Sequence, residues 1–259
     1  MEGANVIFFD SRTYKTAEVF DEYNKWSKAS FGPMLMSTGN RLIGEMAFPI
    51  EEKLPSVRTM AINHFKDLET YLTYMTTPEA NAYIKDMQAT WAGKYEQSVA
   101  GHLVVRRFKG NQFTPIDQGD IVDKDTRLKE FSSDNAPVVL LRGLGLTSDE
   151  WEKYDDWVNE WGYQVYIPLL LKIPGLIEYY RCWLSNISQR NQKPKPSTIM
   201  NLEYPQDLSI IYFENLRAYQ NFLKSKELEA YNKTLAAAFP EGLNYKWNNT
   251  FRLFRRWSK

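Results

Sequence analysis

The chain has 259 residues, 43% of them hydrophobic, which is enough for a packed core and too apolar for a disordered chain. Its 32 basic and 32 acidic residues cancel, so the basic excess of a general nucleic-acid binder is missing. A single cysteine, Cys182, excludes an intrachain disulfide and a cysteine-built zinc site, and two histidines, His64 and His102, argue against a multi-histidine metal site. The start has no basic, apolar leader, and no stretch approaches about 18 uninterrupted apolar residues. A cytoplasmic protein is therefore expected, with a small-molecule partner and neither nucleic acid nor membrane. The 16 Tyr and 8 Trp favour a core or pocket built from flat side chains.

In chain order, the apolar run Val6–Phe9 reads as a buried strand. A helix carrying Trp26 follows, and Pro33 should end or bend it. Strands are expected at Arg41–Phe48 and Arg58–Phe65, a helix from about Asp67 to Trp91, and a strand at His102–Phe108. Residues 109–136 have no apolar period and several Asp, and read as a connection. The same order then returns: a strand at Val138–Leu141, and a helix announced by Thr147-Ser148-Asp149-Glu150. Tyr154, Val158, Trp161 and Val165 recur along one face of that helix, which should end or bend at Pro168. Strands at Leu176–Trp183 and Leu208–Phe213, a helix from about Asn215 to Ala238 and a strand at Phe251–Trp257 complete the pattern.

Three anchors make this a duplication. Trp26-x4-Phe31-x-Pro33 returns as Trp161-x4-Tyr166-x-Pro168, an offset of 135. Ile62, Phe65, Leu68 and Tyr71 return as Ile210, Phe213, Leu216 and Tyr219, an offset of 148. Val105-Arg-Arg-Phe108 returns as Phe254-Arg-Arg-Trp257, an offset of 149. One insertion between Pro168 and Ile210, in the polar, proline-interrupted stretch around residues 185–200, reconciles the offsets. The reading is α+β: a ferredoxin-like βαββαβ repeat over 1–108, a linker over 109–136 and a second repeat over 137–259. One unit leaves a sheet face bare, and a second can cover it. The fusion supplies both halves, so a monomeric pseudo-dimer is expected, or a dimer through outer surfaces.

A βαββαβ unit with Trp-x4-His-x-Pro near the end of its first helix resembles the dimeric α+β-barrel superfamily, and within it EthD-like proteins. The stretch Tyr166-Ile-Pro-Leu-Leu-Leu-Lys-Ile-Pro-Gly175 carries the likeness best. The group's histidine is replaced by Phe31 in one repeat and Tyr166 in the other, so chemistry tied to that histidine does not transfer. Arg181 is similar to an arginine on the second strand of related sequences. The resemblance implies a barrel of two face-to-face sheets around a pocket. It leaves function open among cofactor-free monooxygenases, isomerases, cyclases, decarboxylases and haem enzymes.

His64 and its repeat counterpart Tyr212 put proton-capable groups at one strand position and are the first catalytic candidates. Tyr166, as a hydrogen-bond donor to an oxyanion, and His102 on the last strand join them. Asn63, Phe31, Arg41, Arg181, Trp161 and Trp26 are the expected substrate-binding set. No phosphate loop, dinucleotide fingerprint, nucleophile elbow or His-Glu-x-x-His occurs, so no cofactor or metal is expected. A haem on either histidine ranks below acid/base use. The resulting expectation is a cofactor-free lyase or isomerase, of cyclase, isomerase, dehydratase or decarboxylase type. It would act on an apolar, aromatic or polyketide-like metabolite of secondary metabolism in an aromatic-lined barrel pocket. The alternative is a non-catalytic binding protein of the same fold, since the group's histidine is gone from both repeats.

Overall fold

The computed structural model describes residues 5–37, 41–51, 57–65, 71, 76–109, 112–113, 127–132, 135–146, 148–184 and 207–258. The first repeat comprises β1 (Asn5–Tyr14), α1 (Ala17–Ser37), β2 (Arg41–Pro49), β3 (Arg58–Phe65), α2 (Pro78–Trp91) and β4 (Tyr95–Lys109). Two short strands follow, β5 (Gln112–Phe113) and β6 (Arg127–Glu130). The second repeat opens with β7 (Val138–Gly145), α3 (Ser148–Trp157), a π-helical stretch Val158–Tyr166 and α4 (Ile167–Leu170). It continues with β8 (Leu176–Leu184), β9 (Asp207–Phe213), α5 (Leu216–Leu223), α6 (Lys226–Ala238) and β10 (Asn244–Ser258).

The strands pair in the order β1-β3-β2-β10-β7-β9-β8-β4, and β4 pairs back onto β1. Eight strands therefore close into an antiparallel barrel with both repeat-to-repeat seams, β2 with β10 and β4 with β8, inside one chain. In an antiparallel ring a strand and its equivalent four places on run the same way, so the pseudo-twofold lies along the barrel axis. The irregularities repeat as well. A bulge between Arg41 and Ile43, opposite His64, matches one between Leu176 and Glu178, opposite Tyr212. Strands β4 and β10 run from 95 to 109 and from 244 to 258, an offset of 149 at both ends.

Alternation along the strands explains why the sequence runs are apolar throughout: both faces are covered. Ile7, Phe9, Ile62, Leu141, Ile210 and Leu253 fill the barrel interior. On the outer face of the first sheet, Val6, Tyr14, Phe48 and Phe65 pack with Phe20 and Tyr23 of α1. On the second, Leu140, Leu144 and Ile211 pack with Tyr154, Val158 and Tyr166.

Three expectations change. Each long second helix is broken at an equivalent place. Thr77 Oγ1 accepts from Ala80 N at 3.2 Å to start α2, and Ser225 Oγ accepts from Leu228 N at 3.2 Å to start α6. Hydroxyl caps, and the Pro78 ring that keeps Thr77 extended, decide both breaks. Residues 66–70 and 72–75 of the first expected helix lie outside the described residues. Second, the prolines do not end the first helices: α1 runs to Ser37, and Pro168 sits inside α4. A proline ring crowds the carbonyl four residues back, and the wide turns before Pro168, with Ile167 N–H bonded to Gly162 O, accommodate it. Third, the last strands begin at Tyr95 and Asn244, well before His102 and Phe251. Within the connection, β5 pairs with β4 and β6 adds to β10.

Candidate active site in the second repeat

The sequence candidates divide between two sides of the sheet. His64 and Tyr212 point into the barrel from opposite walls and meet near its axis, with His64 Nε2 3.4 Å from the Tyr212 hydroxyl. Tyr180 packs beside both, ring centroids 5.7 Å from each, and donates its hydroxyl to Glu178. His64 is only 1% exposed, and the surrounding barrel interior is filled by aliphatic and aromatic side chains.

Tyr166, Trp161 and Arg181 lie on the other side, between the second sheet and its helices. Trp161 stacks on Tyr166, and Tyr166 on Tyr231, at 5.5 and 4.1 Å between centroids. Here the described residues form a narrow surface cleft, partly open to solvent. Five tyrosines line it, Tyr154, Tyr166, Tyr179, Tyr231 and Tyr245, together with Arg142, Asp207 and Ser209. Among the described residues this cleft lies outside the barrel, against the helices, and the described part of the barrel interior is taken up by its own side chains.

The sheet grid places the polar groups. Arg142 on β7 and Arg181 on β8 both pair with Ser209 on β9, and Asp207 lies two residues along β9 on the same face. Arg181, buried to 3%, donates from Nε to Asp207 Oδ2 at 2.5 Å, from Nη1 to the Tyr163 hydroxyl at 2.6 Å and from Nη2 to Asp155 Oδ1 at 3.0 Å. Burial raises the Asp207 carboxyl above the ordinary carboxylate range, against the opposing pull of Arg181. Burial also pushes Tyr154, Tyr166, Tyr179 and Tyr231 upward, so these phenols are protonated donors at neutral pH. The Tyr179 hydroxyl and Ser209 Oγ are 2.6 Å apart on the cleft floor. Arg142 donates to the Tyr245 hydroxyl at 3.2 Å and lies over the rings of Tyr231 and Tyr245. Burial opposes the Arg142 charge, but the surrounding tyrosines, Tyr231 and Tyr245 first, hold its pKa above the usual arginine value.

The remaining candidates are in the first repeat. Trp26 stacks on Tyr83 at 5.3 Å and donates Nε1 to Asp86 Oδ2 at 3.0 Å, a packing role on α1. Asn63 neighbours His64 but faces the helices, 2% exposed. Phe31 lies on α1, Arg41 on β2 opposite Phe65, and His102 on β4 opposite Phe8; their side chains fall outside the described residues. Sequence reasoning missed Arg142, Asp207, Ser209, Tyr179 and Tyr245. The signal that could have found two of them was a charge inside or at the edge of a buried strand run: Arg142 after Val138–Leu141, Asp207 before Leu208–Phe213.

A haem does not fit these residues. Among the described residues the cleft lining holds no histidine, Tyr154, Tyr166, Tyr179 and Tyr231 resist the ionisation an axial phenolate needs, and His64 lies on the opposite side of the sheet; the side chain of His102 lies outside the described residues. Among the described residues no group of three or more His, Cys, Asp or Glu is placed to hold a metal, and no helix is long and apolar enough to cross a membrane.

No family model and no curated protein sequence matches the chain. Solved structures do. A candidate monooxygenase of Fusobacterium nucleatum subsp. nucleatum superposes with a TM-score of 0.60 at 8% identity, covering 100% of this chain and 96% of that one. An anthrone oxidase-like protein gives 0.57 at 9%, covering 99% and 94%. A candidate monooxygenase of Lactobacillus acidophilus NCFM gives 0.56 at 12%, covering 97% and 94%. At such identities the likeness concerns architecture: the chain has the fold of the dimeric α+β barrels, with both halves supplied by one polypeptide.

Proposed function

We propose that the protein is a cofactor-free enzyme that removes a proton from a small, flat aromatic or polyketide-like metabolite held in the second-repeat cleft. The observation that carries this reading is Asp207: a buried carboxyl with a raised pKa, on the wall of a cleft lined by five tyrosines. With Oδ2 held by Arg181, Oδ1 is the oxygen left to take a proton. The ring stacks supply a flat, apolar surface, and protonated phenols with the Tyr179–Ser209 pair donate to an oxyanion as it forms. The anion left by proton removal is the common start of isomerisation and cyclisation, and of oxidation of an activated aromatic when dioxygen takes up its electrons. The name of the anthrone oxidase-like neighbour supports an aromatic substrate of this type.

A second reading keeps the chemistry at His64 and Tyr212, favoured by their meeting on the barrel axis. Turnover of a panel of hydroxylated anthrones, naphthols and aryl ketones, in Asp207→Asn and His64→Gln variants, separates the two. Loss with Asp207→Asn alone supports the cleft, and loss with His64→Gln alone supports the axis. No turnover of any panel member by the unaltered protein favours a binding protein.

A further inference from the structure

We infer that the substrate carries its own anionic group, a carboxylate on a flat aromatic skeleton, and that Arg142 is its counter-ion. This rests on the cleft being the binding site, as proposed above, but not on Asp207 being the base.

Charge pairing points to this anion. Two buried guanidiniums and the largely buried Arg12 each face a carboxylate: Arg181 faces Asp207 and Asp155, Arg255 faces Glu130 and Arg12 faces Asp10; the part-buried Arg252 faces none among the described residues, but it does not line the cleft. Arg142, half-buried on the cleft wall, faces none among the described residues; its partners are the Tyr245 hydroxyl and two tyrosine rings. A guanidinium withdrawn from water without a carboxylate is costly, and the cost is offset when an anion completes the pair. The cleft lining offers no second cation beside Arg142. A single planar fork with aromatic walls suits a monoanionic carboxylate, taken in two parallel hydrogen bonds, better than a phosphate dianion. A phenol is no substitute, because it is uncharged when it arrives at neutral pH. Tyr231 and Tyr245 hold the guanidinium in place before binding. From the Arg142 row to the Asp207 row is one same-face strand step, about 7 Å, the reach of one substituted ring. A substrate anchored by its carboxylate would therefore present its far side to Asp207.

The test is equilibrium binding of 2-naphthoate and of its neutral isostere 2-naphthamide, by calorimetry. The expected result is about tenfold or greater preference for the acid, weakened by salt. Arg142→Met should erase the preference, and Arg142→Lys, which keeps the charge but loses the fork, should retain part of it, both with unchanged melting temperature. Turnover of the aromatic panel by Asp207→Asn is a separate readout, so the anion site and the proton-transfer reading can fail separately. Equal affinity for the two probes, no binding of either, or an acid preference that survives in Arg142→Met would overturn the inference.

Discussion

The two helix–sheet layers use the same materials and reach different ends. In the first repeat, Asp10 and Arg12 form a buried ion pair, Arg12 donates to the Tyr23 hydroxyl, and Tyr14, Tyr23 and Tyr95 cluster around it. In the second, Arg181 and Asp207 form the buried pair, closed on one side by Tyr163 and Asp155 but bordered on the other by the cleft. Matching positions explain the difference. By strand register Asp10 corresponds to Arg142, Asn63 to Ile211 and Tyr14 to Leu146, and by the tryptophan anchor Tyr23 corresponds to Val158. Two large buried rings of the first layer are aliphatic in the second, where Leu146 and Val158 pack into the core. An acid that pairs within its own strand is replaced by an arginine with no carboxylate of its own. Among the described residues, the first layer thus closes its acid into a pair within one strand, while the second borders a cleft.

The sharpest way to break this comparison is to remove the partner acid from each layer. Asp207→Asn should lower turnover by about 10²–10⁴-fold, while Asp10→Asn should lower the melting temperature and leave kcat/KM unchanged. Equal loss of turnover in both would mean that the layers do not differ in kind. Next comes stability. Arg181→Met strands Asp207 in the protein interior and should cost about 3–5 kcal/mol in denaturant unfolding. Asp155→Asn, at a side chain 39% exposed, should cost no more than about 1 kcal/mol.

Acidity sharpens the same contrast. Because the folded state raises the Asp207 pKa, it binds more protons than the unfolded chain between the ordinary carboxylate value and the raised one. Asp207 should therefore contribute stability that is present below that window and is lost as pH rises through it. The kcat/KM should rise over the same window as the base ionises. Both limbs should vanish in Asp207→Asn, and a stability profile that climbs with pH there would contradict the assignment. The smallest effects should fall at equivalent turns. Gly93 and Gly242 have φ of 75° and 81°, and a Cβ at either would stand in open space, so Asn there should cost only a few tenths of a kcal/mol, about equally in both repeats. At Gly175, φ is 83° and a Cβ would stand 2.5 Å from Ala218 Cβ, so Gly175→Ala should cost more than about 1 kcal/mol.

Assembly bears on the comparison too. Since both barrel seams lie within one chain, light scattering should find a monomer, or a dimer that leaves the barrel of each chain intact. A dimer that completes its barrel by strand exchange would overturn this expectation.

The repeat and much of the fold were legible in the amino-acid order, because strand periodicity and the tryptophan–proline anchors are local signals that recur at fixed offsets. The sequence singled out Tyr166, which lines the cleft, Arg181, which pairs with Asp207 of the cleft wall, and His64 with Tyr212, which meet although 148 residues apart. It could not say which side of a sheet held open space, since both faces of the strands under the cleft carry buried side chains and alternation names two faces without ranking them. It also passed over Asp207 and Arg142. An isolated charge beside an apolar run looks the same whether it reaches solvent, an ion pair or a cleft, and only the packing of α3, the π-helical stretch and α6 across the second sheet decides among these.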